Sequence, residues 1–143
     1  MIIGFHHAAL STSDLERCVE FYTNVVGCEV AWTFEWDIGS ADADAMTGLT
    51  DSAARAVMLK LGDTHLEVFE YSSPMPRNRH GQRPVNDHGI THICLLVKDL
   101  QAEYERLQAA GMEFHSAPLQ QDSGFVVYGR DLDGNVVELI EFV

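Results

Sequence analysis

The sequence predicts an α+β fold built from two tandem β-α-β-β-β modules. Three observations predict it. First, a histidine opens an apolar, strand-like run twice, at His7 and at His92, and Asp-Leu follows seven residues later each time, at Asp14-Leu15 and Asp99-Leu100. Second, a helical apolar pattern follows each Asp-Leu and stops at a glycine, Gly27 or Gly111. Third, each copy closes on a strand with two glutamates in the same frame, Glu67-Val-Phe-Glu-Tyr71 and Glu138-Leu-Ile-Glu-Phe142. An offset of 85 residues superposes His7 on His92 and Asp14 on Asp99, and the two glycines are 84 apart. Self-similarity in two copies is duplication rather than a solenoid array.

The elements follow in order. Residues 3–10 are short and apolar, and their two histidines point to opposite faces if the run is a strand. Ser13 or Asp14 is placed to cap a helix over residues 14–26, with Leu15, Val19, Phe21, Tyr22, Val25 and Val26 as its apolar positions. Gly27 ends it. Glu29–Trp36 reads as a second strand, and residues 37–55 as an Asp/Ala/Gly-rich excursion with weak helical character at Ser52–Arg55. Val57–Leu61, a Gly62-Asp63 turn and His65–Tyr71 form a hairpin.

Residues 72–88, with three prolines, mark a linker. The pattern then restarts with a strand at Ile90–Val97, a helix at Leu100–Ala110 ended by Gly111, and a short strand at Glu113–Ser116. Phe125–Arg130, the turn Asp131-Leu-Asp-Gly-Asn135 and Val136–Phe142 make the final hairpin. The chain is read as one domain over 1–143, with module 1 at about 1–71, the linker at about 72–88 and module 2 at about 89–143.

Composition excludes several function classes. The net charge of -13 argues against nucleic acid, which needs clustered Lys and Arg. No stretch is long and apolar enough to span a membrane, and the N-terminus lacks a basic-then-apolar signal pattern. Cys18, Cys28 and Cys94 are odd in number and lack CxxC spacing, so they read as reduced, packed thiols of a cytoplasmic protein. Cys94 shares a strand face with His92; it is read first as a small buried hydrophobe and second as a cavity-lining residue.

Strand parity selects the chemistry-bearing residues. Glu67 shares a face with His65, Phe69 and Tyr71, and Glu138 with Val136, Ile140 and Phe142. A carboxylate flanked by apolar residues needs a positive partner, because burying it bare is costly. Only nine basic residues are present, so a divalent cation is the economical partner. Imidazole and carboxylate ligands suit Ni, Zn, Co, Mn or Fe. Taken singly, a strand histidine is more often a satisfied core or edge residue, and a glutamate a surface charge. His7, Glu67, His92 and Glu138 stand out because they fall at equivalent places of the duplicated unit. His6 fails on parity and has no counterpart. His65 shares the Glu67 face, but Val136 replaces it in the second half. His80, His88 and His115 read as loop or surface residues, and Glu70 and Glu141 as solvated charges on the opposite face.

The runs His7-Ala-Ala-Leu…Asp14-Leu-Glu-Arg…Phe21-Tyr22…Gly27-Cys28, Gly89-Ile-Thr-His92-Ile…Asp99-Leu and Asp131-Leu-Asp-Gly-Asn135…Glu138 resemble the vicinal oxygen chelate superfamily. That superfamily includes glyoxalase I, methylmalonyl-CoA epimerase, extradiol dioxygenases, and bleomycin and fosfomycin resistance proteins. The resemblance covers nearly the whole chain. It implies two βαβββ modules, each curling into a half-barrel, around a central metal cleft. It places the metal ligands on His7, Glu67, His92 and Glu138, a set similar to bacterial glyoxalase I. It also implies Glu138 as the base, with Glu67 as ligand and second base.

The implied chemistry is a glyoxalase-like lyase or isomerase reaction. The metal chelates adjacent substrate oxygens as a Lewis acid, and a carboxylate moves a proton beside the carbonyl. An Fe(II)-dependent ring-cleaving dioxygenase is the first alternative, although Glu67 fills a position such enzymes leave unoccupied. A non-catalytic small-molecule binding or resistance protein is the second. The partner is a small molecule with adjacent oxygens, and the resemblance implies a homodimer. Arg77, Arg79 and Arg83 in the linker read as solvated charge or as recruiters of an anion. Outside the linker no persuasive Arg/Asn pair for glutathione is found. Trp32, Phe34 and Trp36 share one strand face and either wall an apolar pocket or serve core or dimer packing.

Overall fold

Hydrogen-bond supply decides where the first strand begins. In the computed structural model, which describes residues 1–77 and 83–143, β1 runs His7–Ser11 and pairs in parallel with β4 (Thr64–Ser73) from His7↔His65 to Ser11↔Phe69. β4 starts at Thr64, straight after the Gly62 turn, so residues before His7 have almost no backbone left to pair with. The strand expected from residue 3 therefore starts at His7, and Ile2, Ile3 and Phe5 stand exposed.

The chain folds as two compact units, Met1–Asn78 and Arg79–Val143. In the first, Asp14 caps α1 (Leu15–Glu20), its side chain accepting from the Arg17 amide at 3.0 Å. The helix continues as a π-helical stretch over Phe21–Val26 and ends at Gly27, whose left-handed φ of 94° suits glycine. Together these cover the helix expected over 14–26. β2 (Glu29–Trp36) pairs antiparallel with β3 (Ala53–Leu61), which pairs antiparallel with β4, giving the sheet order β1-β4-β3-β2.

The excursion holds a helix, α2 (Ala41–Thr47), capped by the Ser40 hydroxyl at one end and by left-handed Gly48 at the other. Ser52–Arg55, expected as weakly helical, leads instead into β3. The Asp44 carboxylate accepts from the Asp51 and Ser52 amides at 2.9 and 2.7 Å and ties the chain down there, and Ala53 onward pairs with β4. One face of the sheet carries the core: Val57, Leu59, Leu66 and Val68 are buried, as are Leu15, Cys18, Phe21 and Tyr22 of the helix. Arg55 adds an ion-pair staple, engaging Glu16 of α1 at 2.6 Å and also Glu70 of β4.

The second unit repeats the plan. β5 (Ile93–Leu96) pairs in parallel with β9 (Val136–Phe142), and β9 pairs antiparallel with β8 (Gly124–Arg130). β6 (Glu113–Phe114) and β7 (Leu119–Gln121) both pair with β8. β7 is an addition that its polar Gln120 and Gln121 did not advertise. β5 is shorter than the strand expected over Ile90–Val97. Asp99 caps α3 (Leu100–Ala109), and Leu100 and Leu107 are buried on the core side with Val127, Val137 and Leu139. The fold is α+β, with two open sheets and no closed barrel among the described residues. No helix is long and apolar enough to cross a membrane.

Candidate metal centre

Each unit brings one histidine and one glutamate together on the sheet face away from its helix. In the first unit Ala9 stands opposite Glu67, which puts His7 diagonal to Glu67 on the same face. His7 Nε2 lies 3.3 Å from Glu67 Oε2. In the second, Cys94 stands opposite Glu138, and His92, just ahead of β5, directs Nε2 to Glu138 Oε2 at 3.0 Å. The carboxylates are largely covered, with only 12% and 15% of the Glu67 and Glu138 side chains exposed. Among the described residues no group of three or more His, Cys, Asp or Glu gathers as a metal cluster, so the pair is the structural unit.

The spacing within each pair has a chemical meaning. Two atoms at about 2.0–2.2 Å from one cation, at tetrahedral or octahedral angles, lie roughly 2.8–3.6 Å apart. Separations of 3.3 and 3.0 Å fall inside that range. The other ring nitrogen is anchored in both cases. His92 Nδ1 is 2.8 Å from the Thr91 hydroxyl, and His7 Nδ1 is 2.8 Å from His6 Nδ1. A ligating imidazole typically has its second nitrogen held in this way, which fixes the ring and its tautomer. Within each unit the donor pair, one imidazole and one largely covered carboxylate, is chemically of a kind that suits a divalent metal.

His6 departs from the parity expectation. Because the strand starts after it, alternation does not govern His6, and its ring stacks on His65 with centroids 4.7 Å apart and planes 7° apart. His65 is half-buried near Trp32, and its Nδ1 is buried without a hydrogen-bond partner. Cys94 is exposed rather than a buried hydrophobe. Desolvation first, and then its hydrogen bond to the Glu138 carboxylate, push its thiol up to about 12, so it is a protonated donor to Glu138 rather than a nucleophile.

Glu70 and Glu141 do face the opposite side, but they are structural rather than freely solvated. Glu70 holds Arg55. Glu141 accepts from the Asp99 and Leu100 amides at 2.8 and 2.9 Å at the start of α3. His115 is exposed, as expected, and its Nε2 accepts from Arg130 Nε at 3.2 Å. Arg83 is engaged with the Ile90 carbonyl instead of projecting free. Arg79 and His80 lie outside the described residues.

Tyr128 is a site neighbour that sequence reasoning missed. It stands opposite Glu138 across the β8–β9 hairpin, with its ring centroid 5.0 Å from that of His92. Burial, then the Glu138 charge, raises its phenol above the usual range, so it stays a proton donor. Counting back through the turn would have found it: Arg130 pairs with Val136, so Glu138 pairs with Tyr128.

Comparison with known proteins adds to this geometry. A 2-epi-5-epi-valiolone epimerase from Actinomyces is 41% identical over 113 residues, an alignment spanning 75% of this chain and 58% of that relative. The chain thus spans under two thirds of that relative's length. A lactoylglutathione lyase from Pseudomonas putida is 27% identical over 96% of this chain and 84% of its own length. A glyoxalase family protein from Bacillus cereus has the same fold, with a TM-score of 0.90 at 20% identity over 100% of this chain and 96% of that one. Residues 4–139 match the Glyoxalase/Bleomycin resistance protein/Dioxygenase superfamily. With its duplicated modules, its twin His–Glu pairs and this match, the chain belongs to that superfamily.

Proposed function

We propose that the protein is a divalent-metal-dependent isomerase that acts as an epimerase at a carbon next to a carbonyl. The observation that carries this reading is the repeated His–Glu pair, each with ligand-like spacing and an anchored imidazole. His7 and Glu67 of the first unit and His92 and Glu138 of the second are the proposed metal ligands, for a cation chosen from Ni, Zn, Co, Mn or Fe. Bound there, such a cation supplies Lewis-acid polarisation of a substrate carbonyl flanked by a second oxygen.

The chain's own residues do the rest. A Glu138 oxygen takes the proton from the carbon beside the carbonyl, and a carboxylate returns a proton to that carbon with its configuration inverted. Glu67 is the second base. Cys94 stands opposite Glu138 in the β5–β9 pair and keeps a protonated thiol beside that carboxylate. The epimerase at 41% identity favours inversion over the lyase reaction.

The test is metal analysis of protein purified without added metal, together with proton exchange in heavy water. We expect about one divalent ion per site, deuterium entering a substrate α-carbon, and loss of that exchange in Glu138→Gln. Iron with oxygen uptake and ring cleavage would overturn the reading, as would His92→Ala with unchanged metal content.

A further inference from the structure

The first unit carries an aromatic surface running on from Glu67 along the same face of its sheet. Glu67, Phe69 and Tyr71 succeed one another on that face of β4. Register puts Ala56 and Ala54 of β3 opposite Phe69 and Tyr71, and Phe34 and Trp36 of β2 opposite the same two alanines. The small alanines let rings from the outer strands meet over β3. Phe34 stacks with Trp36 at 6.1 Å and Phe69 with Tyr71 at 5.6 Å, while Trp36 meets the edges of Phe69 and Tyr71 at 6.2 and 5.9 Å.

The layer is fixed and open. Trp36 Nε1 donates to the fully buried Ser52 hydroxyl at 3.0 Å, and Asp44 holds the Ser52 amide. All four rings are only half-buried, and the unit's aliphatic core lies on the other face of the sheet.

Charge decides what such a surface holds. Among the described residues the strand positions of this face from Glu67 to the sheet's end are Ala9, Ser11, Ala54, Ala56 and Met58 besides the rings, with no cation; Lys60 shares the face but lies on the other side of Glu67, opposite His65. Arg55 lies on the opposite face, bound to Glu16 and Glu70. In the second unit Arg106 is paired with Glu103, Arg83 holds the Ile90 carbonyl, and Arg130 is spent on His115 and two backbone carbonyls. Phosphate and multiple carboxylate groups call for free arginine forks. The negative face of an aromatic ring instead attracts the weakly positive C–H face of a saturated, hydroxylated ring.

We propose that Phe34, Trp36, Phe69 and Tyr71 form a subsite for an uncharged ring, and that the substrate is a neutral polyhydroxylated cyclic ketone rather than a glutathione or coenzyme A conjugate. This rests on the proposed metal site, whose Glu67 stands two residues, about 7 Å, from Phe69 along the strand. The ketone and its neighbouring hydroxyl meet the metal site while the ring's C–H face lies on the aromatic layer.

The test is saturation-transfer NMR and tryptophan fluorescence titration of the full chain with 2-keto-myo-inositol, alongside 1,3-dihydroxyacetone and S-lactoylglutathione. Metal content is measured on the same samples. The cyclic ketone is expected to bind most tightly, with saturation reaching its ring C–H protons. Trp36→Ala and Phe69→Ala are expected to weaken it at least tenfold with metal content unchanged, and Trp36→Phe to keep most of the affinity. If Trp36→Ala fails to fold, Phe69→Ala and Trp36→Phe decide. Tighter binding of S-lactoylglutathione, or unchanged affinity in the variants, overturns the proposal. Ring binding without any metal would sink the metal reading alone; metal without ring binding would sink the aromatic subsite alone.

Discussion

Thr91→Val removes one hydroxyl and leaves a side chain of nearly the same size. That hydroxyl lies 2.8 Å from His92 Nδ1, and His92 Nε2 faces Glu138 at 3.0 Å. With Nδ1–H donated to Thr91, the Nε2 lone pair is free for a cation; without that anchor the ring samples other rotations and the other tautomer. Loss of such an outer contact typically costs ten- to a hundredfold in metal affinity. That corresponds to about 1.4–2.7 kcal/mol of binding free energy. Calorimetric titration of metal-stripped protein with zinc or nickel at neutral pH measures it directly. His6→Ala removes the matching contact on His7 Nδ1 and should cost a similar factor. The two losses fall on different histidines, one in each unit, so each variant is read on its own. Unchanged affinity in both variants, with the fold intact by circular dichroism, would refute the claim that Nε2 is presented to a metal.

Three further outcomes are expected. Gly124→Ala should lower stability by about 2–4 kcal/mol in urea unfolding, because an added Cβ would lie 1.8 Å from the Glu141 carbonyl oxygen and the backbone sits at φ +148°; an unchanged midpoint would show that β8 and β9 separate freely there. Leu139→Ala should cost about 2–5 kcal/mol, since that side chain is fully buried in the core of the second unit, and a small loss would mean the site collapses around the gap. Amide contacts from Leu100 and then Asp99 hold the Glu141 carboxyl below the ordinary glutamate range. A lowered folded-state value means that its stabilisation is present at neutral pH and is lost as pH falls below about 4.3 through the folded value. Glu141→Gln should therefore flatten the acid limb of stability against pH, and an identical limb would refute that role.

Strand parity was legible wherever a residue lay inside a strand, because alternation needs no tertiary information. It correctly separated Glu67 from Glu70 and Glu138 from Glu141, and it put Trp32, Phe34 and Trp36 on one face despite a bulge between Val30 and Trp32. It failed for His6, because the start of β1 is set by where β4 begins and not by the apolar run itself. The helix at Ala41–Thr47 was obscured by its acidic composition, although Ser40 and Gly48 are ordinary caps. Ser52 could not be read at all. Its value lies in two contacts, with Asp44 and with Trp36, that join elements distant in the chain.

Divergence between the two modules supplies an argument that neither module gives alone. Glu70 and Glu141 occupy the same frame of the repeat, yet one binds an arginine and the other caps a helix. Opposite Glu67 stands Met58, and opposite Glu138 stands Tyr128; His65 is matched by Val136. Structural contacts in this duplicated fold were thus free to be met by different chemistry in each half. The His–Glu pairs were not: the residue types, the use of Nε2, the anchored Nδ1 and a spacing near 3 Å recur in both halves. A pair needed only to steady its own sheet would have drifted as its neighbours did. A pair that answers to a cation would be held to the same atoms at the same distance, and that constraint is what the Thr91 and His6 variants probe, each in its own unit.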